Sequence, residues 1–258
     1  MKVATWNVNS ILVRLPHVID WLKTNQPDVL CMQELKVADD RFPHQAFSEI
    51  GYNCLVHGEK TYNGVAVVIK SEMAHQALRN QFDEGLESHQ SRFIEVQAGP
   101  IYVINCYVPN GQEVGSEKYF FKLRWLGALK MHLAKYRLSS EDYVVCGDFN
   151  IAPEDADVYD PVALADQILV SKPERDALIE IVDLGLVDTF RMHNKDANQF
   201  SWWDYRMAAF RRNMGLRIDF VLASKALAGK CRASWIDKAP RKLERPSDHA
   251  PVVAEFQL

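Results

Sequence analysis

No stretch of 18 consecutive apolar residues occurs in the sequence, so no helix in it is built to span a membrane. Nor is there a C-x-x-C pair or a paired-histidine spacing to hold a soft metal. The five cysteines, Cys31, Cys54, Cys106, Cys146 and Cys231, are odd in number and far apart. Three of them lie in apolar runs, which points to reduced core residues and away from disulfides or zinc. There is no G-x-S-x-G, the strained turn that presents a nucleophilic serine in many hydrolases. Low-complexity tracts and obvious linkers are also missing, so one domain over residues 1–258 is expected. The first residues, "MKVATWNVNS", turn polar too early for a secretory signal, which makes a cytoplasmic protein the expectation.

The chain has 258 residues, 48% of them apolar, enough to bury a sizeable core. Its net charge of −4 argues weakly against a polyanionic partner. The distribution of that charge argues otherwise. From Arg191 to Arg245 there are 13 Lys and Arg against 5 Asp and Glu, and the remainder of the chain is acidic. A basic region beside an acidic body suits a polyanion bound on one side. On charge alone, a merely solvated basic surface is an equal explanation.

Hydrophobic periodicity alternates between strand and helix. "KVATWNV" (Lys2 to Val8), "DVLCMQE" (Asp28 to Glu34), "GVAVVIK" (Gly64 to Lys70) and "RFIEVQ" (Arg92 to Gln97) are predicted strands. So are "IYVINCYV" (Ile101 to Val108), "DYVVCGDFN" (Asp142 to Asn150), "LRIDFVLAS" (Leu216 to Ser224) and "APVVAEF" (Ala250 to Phe256). The turn "AGP" should join two of them as a hairpin. Helices are predicted over Leu15 to Thr24, with Pro16 in the first turn, over Glu117 to Tyr136, and over Pro173 to Gly185. Continuous apolar strands mixed with alternating ones suit an α/β protein with two packed mixed sheets and helices outside.

Polar residues gather where these strands stop. The first strand ends at Asn7 and Asn9, the second at Gln33 and Glu34, another at Tyr107, and another at Asp148 and Asn150. Asp219 interrupts a late strand, and Asp248 and His249 precede the last one. Each alone has an ordinary explanation as a turn residue or a half-buried tyrosine. Together they are costly to bury unless they share a cation or a hydrogen-bonded network. Glu34, Asp148, Asn150, Asp248 and Asn7 offer hard oxygen ligands, which suit Mg²⁺ or Mn²⁺. Ser247, Asp248 and His249 do not make a triad by adjacency, because neighbouring side chains point in different directions. Ser247 is expected only to shape the turn.

The segments "TWNVNS", "QELK", "YVPNG", "GDFNIAP", "FSWWDYR", "GLRIDFVLAS" and "PSDHAPV" occur in this order. In that order they resemble the exonuclease III family of DNA repair nucleases, within the endonuclease/exonuclease/phosphatase superfamily. The resemblance runs from Lys2 to Phe256. It implies a four-layer, DNase I-like α/β sandwich with the site at one end of two packed sheets. It also implies Mg²⁺-dependent hydrolysis of DNA phosphodiesters, with Mn²⁺ as a substitute. The activities implied are 3′→5′ exonuclease, 3′-phosphatase and cleavage at abasic sites. The expected partner is double-stranded DNA with abasic sites or 3′ ends, bound by a monomer and without a membrane.

The same resemblance suggests roles. Glu34 and Asn7 would hold the metal, with Asp248 completing its surroundings and Asp148, Asn150 and His249 also within its reach. Asp148 would activate the attacking water or serve as a second ligand, and the sequence leaves both open. Asn150 would orient the nucleophile or stabilise the pentavalent state. His249 would bond a phosphate oxygen, oriented by Asp219. Tyr107 would contact the phosphate or the leaving group. Trp202, Leu216 and Ile218 match the apolar pocket for a flipped, base-less sugar, whereas Trp203 is expected to fill the core. Lys36, Arg206, Arg211 and Arg212 are candidate phosphate contacts, and Asn9, Asn110 and Gln112 could also reach DNA.

Two departures stand out. Leu35 replaces the threonine of the more usual "QETK". The loop from Glu154 to Glu174 falls in a variable region where duplex DNA would enter, and bulky side chains there could admit a 3′ end while hindering a continuous strand. A rival reading is a catalytically silent regulator that binds RNA or protein on the same scaffold. Such a relative is expected to have lost site residues, and here the whole set is present.

Overall fold

Along five central strands, every second side chain points to the same side and the row ends in a polar group. Those rows read Val3, Thr5, Asn7; Val29, Cys31, Gln33; Val103, Asn105, Tyr107; Val144, Cys146, Asp148; and, in reverse, Ala223, Val221, Asp219. Alternation along an extended chain puts each row on one face. The apolar members of all five rows belong to one buried cluster between two sheets. Their polar ends therefore converge at one edge of that cluster.

The computed structural model describes residues 1–82, 86, 90–137 and 142–258. The strands are β1 (Lys2–Asn7), β2 (Val29–Gln33), β3 (Tyr52–His57), β4 (Val65–Lys70), β5 (His75–Arg79), β6 (Phe93–Ala98) and β7 (Ile101–Tyr107). They continue as β8 (Tyr143–Asp148), β9 (Leu186–Asp188), β10 (Trp202–Trp203), β11 (Gly215–Leu216), β12 (Asp219–Ser224), β13 (Cys231–Ile236) and β14 (Val252–Phe256). The helices are α1 (Ile11–Asn25), α2 (His44–Ser48), α3 (Glu117–Arg137), α4 (Lys172–Val182), α5 (Thr189–His193), α6 (Ala209–Arg212) and α7 (Lys225–Ala228).

One six-stranded sheet has the order β13-β14-β1-β2-β4-β3, and the other β5-β6-β7-β8-β12-β9. Both are mixed, with β1 parallel to β2 and β7 parallel to β8. The outer face of the first sheet, with Ala4, Trp6, Leu30 and Met32, packs on Val18, Trp21 and Leu22 of α1 and Phe47 of α2. The outer face of the second, with Ile104, Val145 and Leu222, packs on Trp125 and Leu129 of α3 and Leu178 and Ile181 of α4. Helix, sheet, sheet, helix is the four-layer sandwich that the motifs implied.

Several boundaries differ from the expected ones. Helix α1 begins at Ile11, so Pro16 lies inside it. The expected strand from Leu216 to Ser224 is two strands, β11 and β12. Between them Arg217 is 1% exposed, and its guanidinium binds Asp157 at 2.7 Å and Asp188 at 2.6 Å. Those buried ion pairs take the place of a continuous ladder. Helix α4 starts one residue before Pro173, behind a capping box in which Ser171 and Glu174 satisfy each other's turn. The four fully buried cysteines and the partly buried Cys54 are all free thiols, as the spacing implied.

Just before Asp148, Gly147 adopts φ +141°, and a Cβ there would lie 1.8 Å from the carbonyl oxygen of Cys106. The glycine lets β7 and β8 approach closely where the site begins. Gly147→Ala should therefore cost more than about 3 kcal/mol in urea denaturation, because rigid backbone has to move.

Candidate active site

Register explains how seven distant residues meet. Asn7 pairs with Gln33 across the parallel β1–β2 ladder, so Glu34 follows beside it. In the second sheet Tyr107 pairs with Asp148, and Asp148 pairs with Asp219. The first sheet adds Asp248 and His249 from the loop that enters β14. That loop is pinned by Ser247, whose Oγ donates to the Asn7 carbonyl at 2.6 Å and accepts the His249 amide at 3.1 Å. Ser247 thus shapes the turn, as expected, and ties it to β1. The Trp6 indole donates to the His249 carbonyl at 3.2 Å.

His249 Nδ1 lies 3.1 and 3.0 Å from the two Asp219 oxygens, and Nε2 is 3.7 Å from Asp148 Oδ2. All three are buried. Burial alone would lower the imidazole pKa, but Asp219 and then Asp148 outweigh it and raise it to about 10. Burial pushes the Asp148 carboxyl up to about 7, with Asp219 adding to the rise, against His249 and the Asn7 and Asn150 hydrogen bonds. Both groups are raised, and the imidazole stands above the carboxyl, so the proton resides on His249 before Asp148.

Asn7 Nδ2 donates to Asp148 Oδ2 at 2.9 Å. The Asn150 amide reaches Asp148 Oδ1 at 2.9 Å, and its Nδ2 reaches Asp148 Oδ2 at 3.3 Å and the Val108 carbonyl at 3.0 Å. Asn150 holds φ +52°, a left-handed conformation that asparagine tolerates. Asn110 Nδ2 donates to Asn150 Oδ1 at 3.2 Å. Tyr107 donates its hydroxyl to Glu34 Oε1. Burial first and Glu34 second keep that phenol well above its usual range, so it is a proton carrier. Lys36 Nζ sits 3.3 Å from Glu34 Oε2 and 2.6 Å from Asn9 Oδ1. Asn9 Nδ2 and the Trp202 indole donate to the two oxygens of Asp248 at 2.9 and 3.0 Å. Burial opposes ionisation of Asp248, but His249, Asn9 and Trp202 hold its carboxyl below the usual range.

Leu35 lies between Glu34 and Lys36 but points into the outer core, fully buried. The departure from the usual threonine therefore leaves the site chemistry alone. Glu34 and Lys36 both hold φ +54°, so the chain swings the two charges to the same side. Trp202, Leu216 and Ile218 do come together in one apolar cluster. Trp203 is fully buried in a separate cluster with Phe200, as expected of core filling.

Arg206, Arg211 and Arg212 are exposed and lie outside the buried centre. Arg211 shares a cleft at the rim with Tyr205 and Arg241, while Gln112 is exposed beyond Asn110.

Four supporting residues were not singled out from the sequence. Ser201 Oγ donates to Asp219 Oδ2 at 2.6 Å and accepts the Ile218 and Asp219 amides at 3.1 Å. Arg92 stacks over the Tyr107 ring at 4.6 Å. Arg14 Nη1 and Nη2 donate to the Asn9 carbonyl at 2.6 Å and the Tyr205 hydroxyl at 3.0 Å. Lys122 lies behind Asn150. The one usable signal was a serine inside the apolar "FSWW".

The donor set is nitrogen and oxygen. Nδ1 or Nε2 of His249 and an oxygen each of Asp148 and Asp219 lie within 4.8 Å of one another. Both Asp219 oxygens already face His249, and one accepts from Ser201, which leaves Asp219 better placed to orient than to ligate. Asp148 is a buried carboxylate held above its normal range, the condition a nearby cation would relieve.

The model of the "Endonuclease/Exonuclease/phosphatase family" matches residues 4–249. Exodeoxyribonuclease III of Haemophilus influenzae is 37% identical over the whole of both chains. A 3′ phosphatase from Neisseria, solved bound to a product DNA hairpin, superposes with a TM-score of 0.96 at 42% identity over 100% of both chains. An AP endonuclease from Archaeoglobus fulgidus superposes with a TM-score of 0.91 at 40% identity, again over 100% of both. The chain belongs to the endonuclease/exonuclease/phosphatase family of hydrolytic nucleases, on the branch of the exodeoxyribonucleases and AP endonucleases.

Proposed function

We propose that this protein is a Mg²⁺-dependent DNA repair nuclease that works chiefly at 3′ ends of duplex DNA, removing 3′-phosphates and 3′ nucleotides, with abasic-site cleavage as its lesser activity. The observation that carries the hydrolytic reading is the buried row Asp219, His249, Asp148, completed by Asn7 and Asn150. It offers a proton donor and a proton acceptor side by side in a water-poor place, aimed at one point.

The residues divide the work. Asp148, braced by Asn7 and Asn150, takes the proton of the attacking water. Its Oδ2 has both amides and His249 around it, so its orientation is set before substrate arrives. His249 donates a charged hydrogen bond to a non-bridging phosphate oxygen, with Asp219 holding its other nitrogen. That role suits a protonated imidazole better than metal ligation does, since imidazolium has no free lone pair. Asn150 steadies the charge that builds on the phosphoryl oxygens. Tyr107 can turn its hydroxyl from Glu34 to the substrate. Glu34, Asn7 and Asp248 are the residues that would hold Mg²⁺. Bound there, the cation would neutralise charge on the phosphate.

The preference for ends rests on the apolar cluster. Leu216 is 4% and Ile218 1% exposed, because Val158, Leu169 and Val170 cover them and Leu164 and Ile168 pack alongside. The loop is anchored in this position. Val158 bridges to Leu216, the Tyr159 amide donates to the Gly215 carbonyl at 3.2 Å, and Arg217 clamps Asp157. A flipped sugar needs that space, while a 3′ end does not. A cleft of about 720 Å³, lined by Tyr62, Asn63, Arg92, Asn110, Gln112 and Lys118 among others, adjoins Asn150 through Asn110, which suits it to the strand. Arg211 and Arg212 would meet backbone phosphates at the rim. Among the described residues no helix is long and apolar enough to cross a membrane.

With Mg²⁺ the protein should release phosphate from a 3′-phosphorylated nick and degrade a 3′-recessed duplex, and excess EDTA should stop both. Asp148→Asn should lower kcat by about 100-fold or more with an unchanged melting temperature. Activity that survives chelation would remove the metal from the scheme.

Under one Mg²⁺ condition, kcat/KM on 3′-phosphate should exceed that on an internal abasic site by at least about tenfold, a 1.4 kcal/mol difference in transition-state binding. A higher value on the abasic duplex would overturn the preference for ends.

His249 gives the pH test. Its folded value lies above the ordinary 6.5, so the stabilisation from its pairing with Asp219 is full below pH 6.5 and is lost as the pH rises through about 10, while the share from Asp148 fades as that carboxyl takes a proton below about 7. In the metal-free protein, nitrogen NMR should show a doubly protonated ring at pH 8, and Asp219→Asn should return titration to the ordinary range. A neutral ring at pH 7 in the parent protein would rule out the charged hydrogen bond to phosphate.

A further inference from the structure

Lys122, on the buried side of α3, is 0% exposed. Its ammonium makes three contacts: the carbonyl of Asn150 at 2.6 Å, the carbonyl of Asn110 at 3.1 Å, and Glu174 Oε1 at 2.5 Å. Burial pulls the lysine down in pKa, with Glu174 opposing it. A dry ammonium is costly, and three oxygens in these directions are what makes it tolerable. Two of the three belong to residues that line the site.

Glu174 faces the other way. Its Oε1 also accepts the Leu169 amide at 3.2 Å, and its Oε2 accepts the Ser171 amide at 3.1 Å and the Ser171 hydroxyl at 2.6 Å. Tyr119, one turn before Lys122, meets the Ser171 hydroxyl at 2.8 Å. The backbone adds two further ties. The Ala152 amide donates to the Leu169 carbonyl at 2.7 Å. At Gly111, φ +93°, a Cβ would lie 2.9 Å from Ile168 Cδ1 and 3.2 Å from Lys122 Cδ. The lysine stem, the loop after Asn110 and the segment that fills the apolar cluster are thus packed against one another.

We infer that the buried Lys122–Glu174 pair is a positioning device: it sets Asn150 and Asn110 for the phosphate and, through Leu169 and Ser171, holds the 164–171 segment over Leu216 and Ile218. One ion pair then governs both the rate at a 3′ end and the exclusion of an internal abasic sugar. This inference rests on the 3′-end reading above.

Asn150 is in a left-handed conformation that its surroundings must over-determine. Its side chain is fixed by Asp148, Val108 and Asn110, but its carbonyl is fixed by Lys122. Loss of that donor frees the peptide that follows Asn150 and so loosens the ψ of the residue whose two amides brace Asp148. A shift of about 1 Å at such a place is enough to lower a rate substantially. On the other side, Glu174 is the acid in the first turn of α4, and its two oxygens hold Leu169 and Ser171, two of the three residues that lead into the helix. Without it, the covering segment loses its anchor next to the site.

The molecule contains its own control. Lys130 and Glu180 join the same two helices, α3 and α4, at 2.8 Å, but on the surface, with side chains 42% and 59% exposed. If the buried pair served only to fasten α3 to α4, its removal would lower thermal stability and leave the ratio of the two activities where the surface pair leaves it.

The test compares Lys122→Met with Glu174→Gln in one chain, Glu174→Gln alone, and Lys130→Met with Glu180→Gln. Removing both charges of the buried pair avoids leaving one of them stranded. Steady-state kinetics on 3′-phosphate and on abasic duplex, with near-UV circular dichroism on each protein, give the readout. The double variant of the buried pair should lose at least about tenfold in kcat on 3′-phosphate with little change in KM. Both variants that lack the Glu174 charge should raise the ratio of abasic cleavage to phosphate release by about threefold or more. The surface pair should change neither quantity. In Glu174→Gln one of the two oxygens that accept from Leu169 and Ser171 becomes an NH2 group while Lys122 keeps both carbonyls, so this variant tests the anchor directly, with near-UV circular dichroism checking its fold. An unchanged ratio in Glu174→Gln, or an unchanged kcat in a folded double variant, overturns the inference. Absence of 3′-phosphate release by the parent protein would instead overturn the functional reading beneath it.

Discussion

Asp148 and Asp219 stand directly opposite each other on β8 and β12, and both are buried. Like charges at opposed positions of an antiparallel pair repel, and burial makes the repulsion worse. What lets the arrangement stand is the imidazolium of His249, which comes from the other sheet. The site is therefore also the clasp that closes one end of the sandwich. Around it, Ser247 is bonded to Asn7, Trp6 to His249, Trp203 to Asp248, and Ala250 to Ser201. Opening the sheets at this end would leave two carboxylates facing each other with no cation between them. Rigidity at the site and cohesion of the fold are one requirement.

Behind the clasp the polarity falls in steps. Next to the site, Gln33 Nε2 donates to Thr5 Oγ1 at 2.9 Å and Asn105 Oδ1 at 2.7 Å, while Asn105 Nδ2 donates to the carbonyls of Met32 and Ala66 at 2.9 Å each. Below that layer the rows turn to valine and cysteine. The hydrogen-bonded layer gives the charged end a partly polar floor, so charge does not meet hydrocarbon directly. Two more buried ion clusters flank the site, Arg217 with Asp157 and Asp188, and Lys122 with Glu174. Such pairs add little net stability, since desolvation offsets attraction. Their contribution is direction: each fixes a loop that has no strand or long helix to hold it.

The rows of alternate residues were readable because a strand's period is local. Val144, Cys146 and Asp148 announce a buried face ending in a carboxylate whatever the rest of the chain does. The two packed sheets and the set Asn7, Glu34, Tyr107, Asp148, Asp219, Asp248 and His249 followed from such endings, and seven ordered motifs tied them to a family. The break between β11 and β12 was not readable. It depends on Arg217 finding Asp157 and Asp188, partners 60 and 29 residues away. Strands β3, β5 and β13 were also missed, because their partly exposed faces mix polar and apolar residues without a clean alternation. Ser201 and Lys122 were illegible for the same reason: a serine or lysine has no sequence mark that says which buried group it will meet.

Specificity was legible as a place, the loop from Glu154 to Glu174 beside Trp202, Leu216 and Ile218, but not as the contacts that close it. On the proposed reading, a phosphate held by Asn7, Asp148, Asn150 and His249 would look the same whether it ended a strand or joined two nucleotides. The distinction must come from what the flanking sugar meets. Unstacking a nucleotide costs a few kcal/mol, and an enzyme that extrudes one offsets the cost with contacts inside a pocket. Here the protein's own leucine and valine side chains already make those contacts with Leu216 and Ile218. An internal sugar would have to displace them before gaining anything in return. On the proposed reading, a strand that simply stops asks for no such displacement, so its phosphate would reach Asp148 and His249 with the apolar cluster left closed.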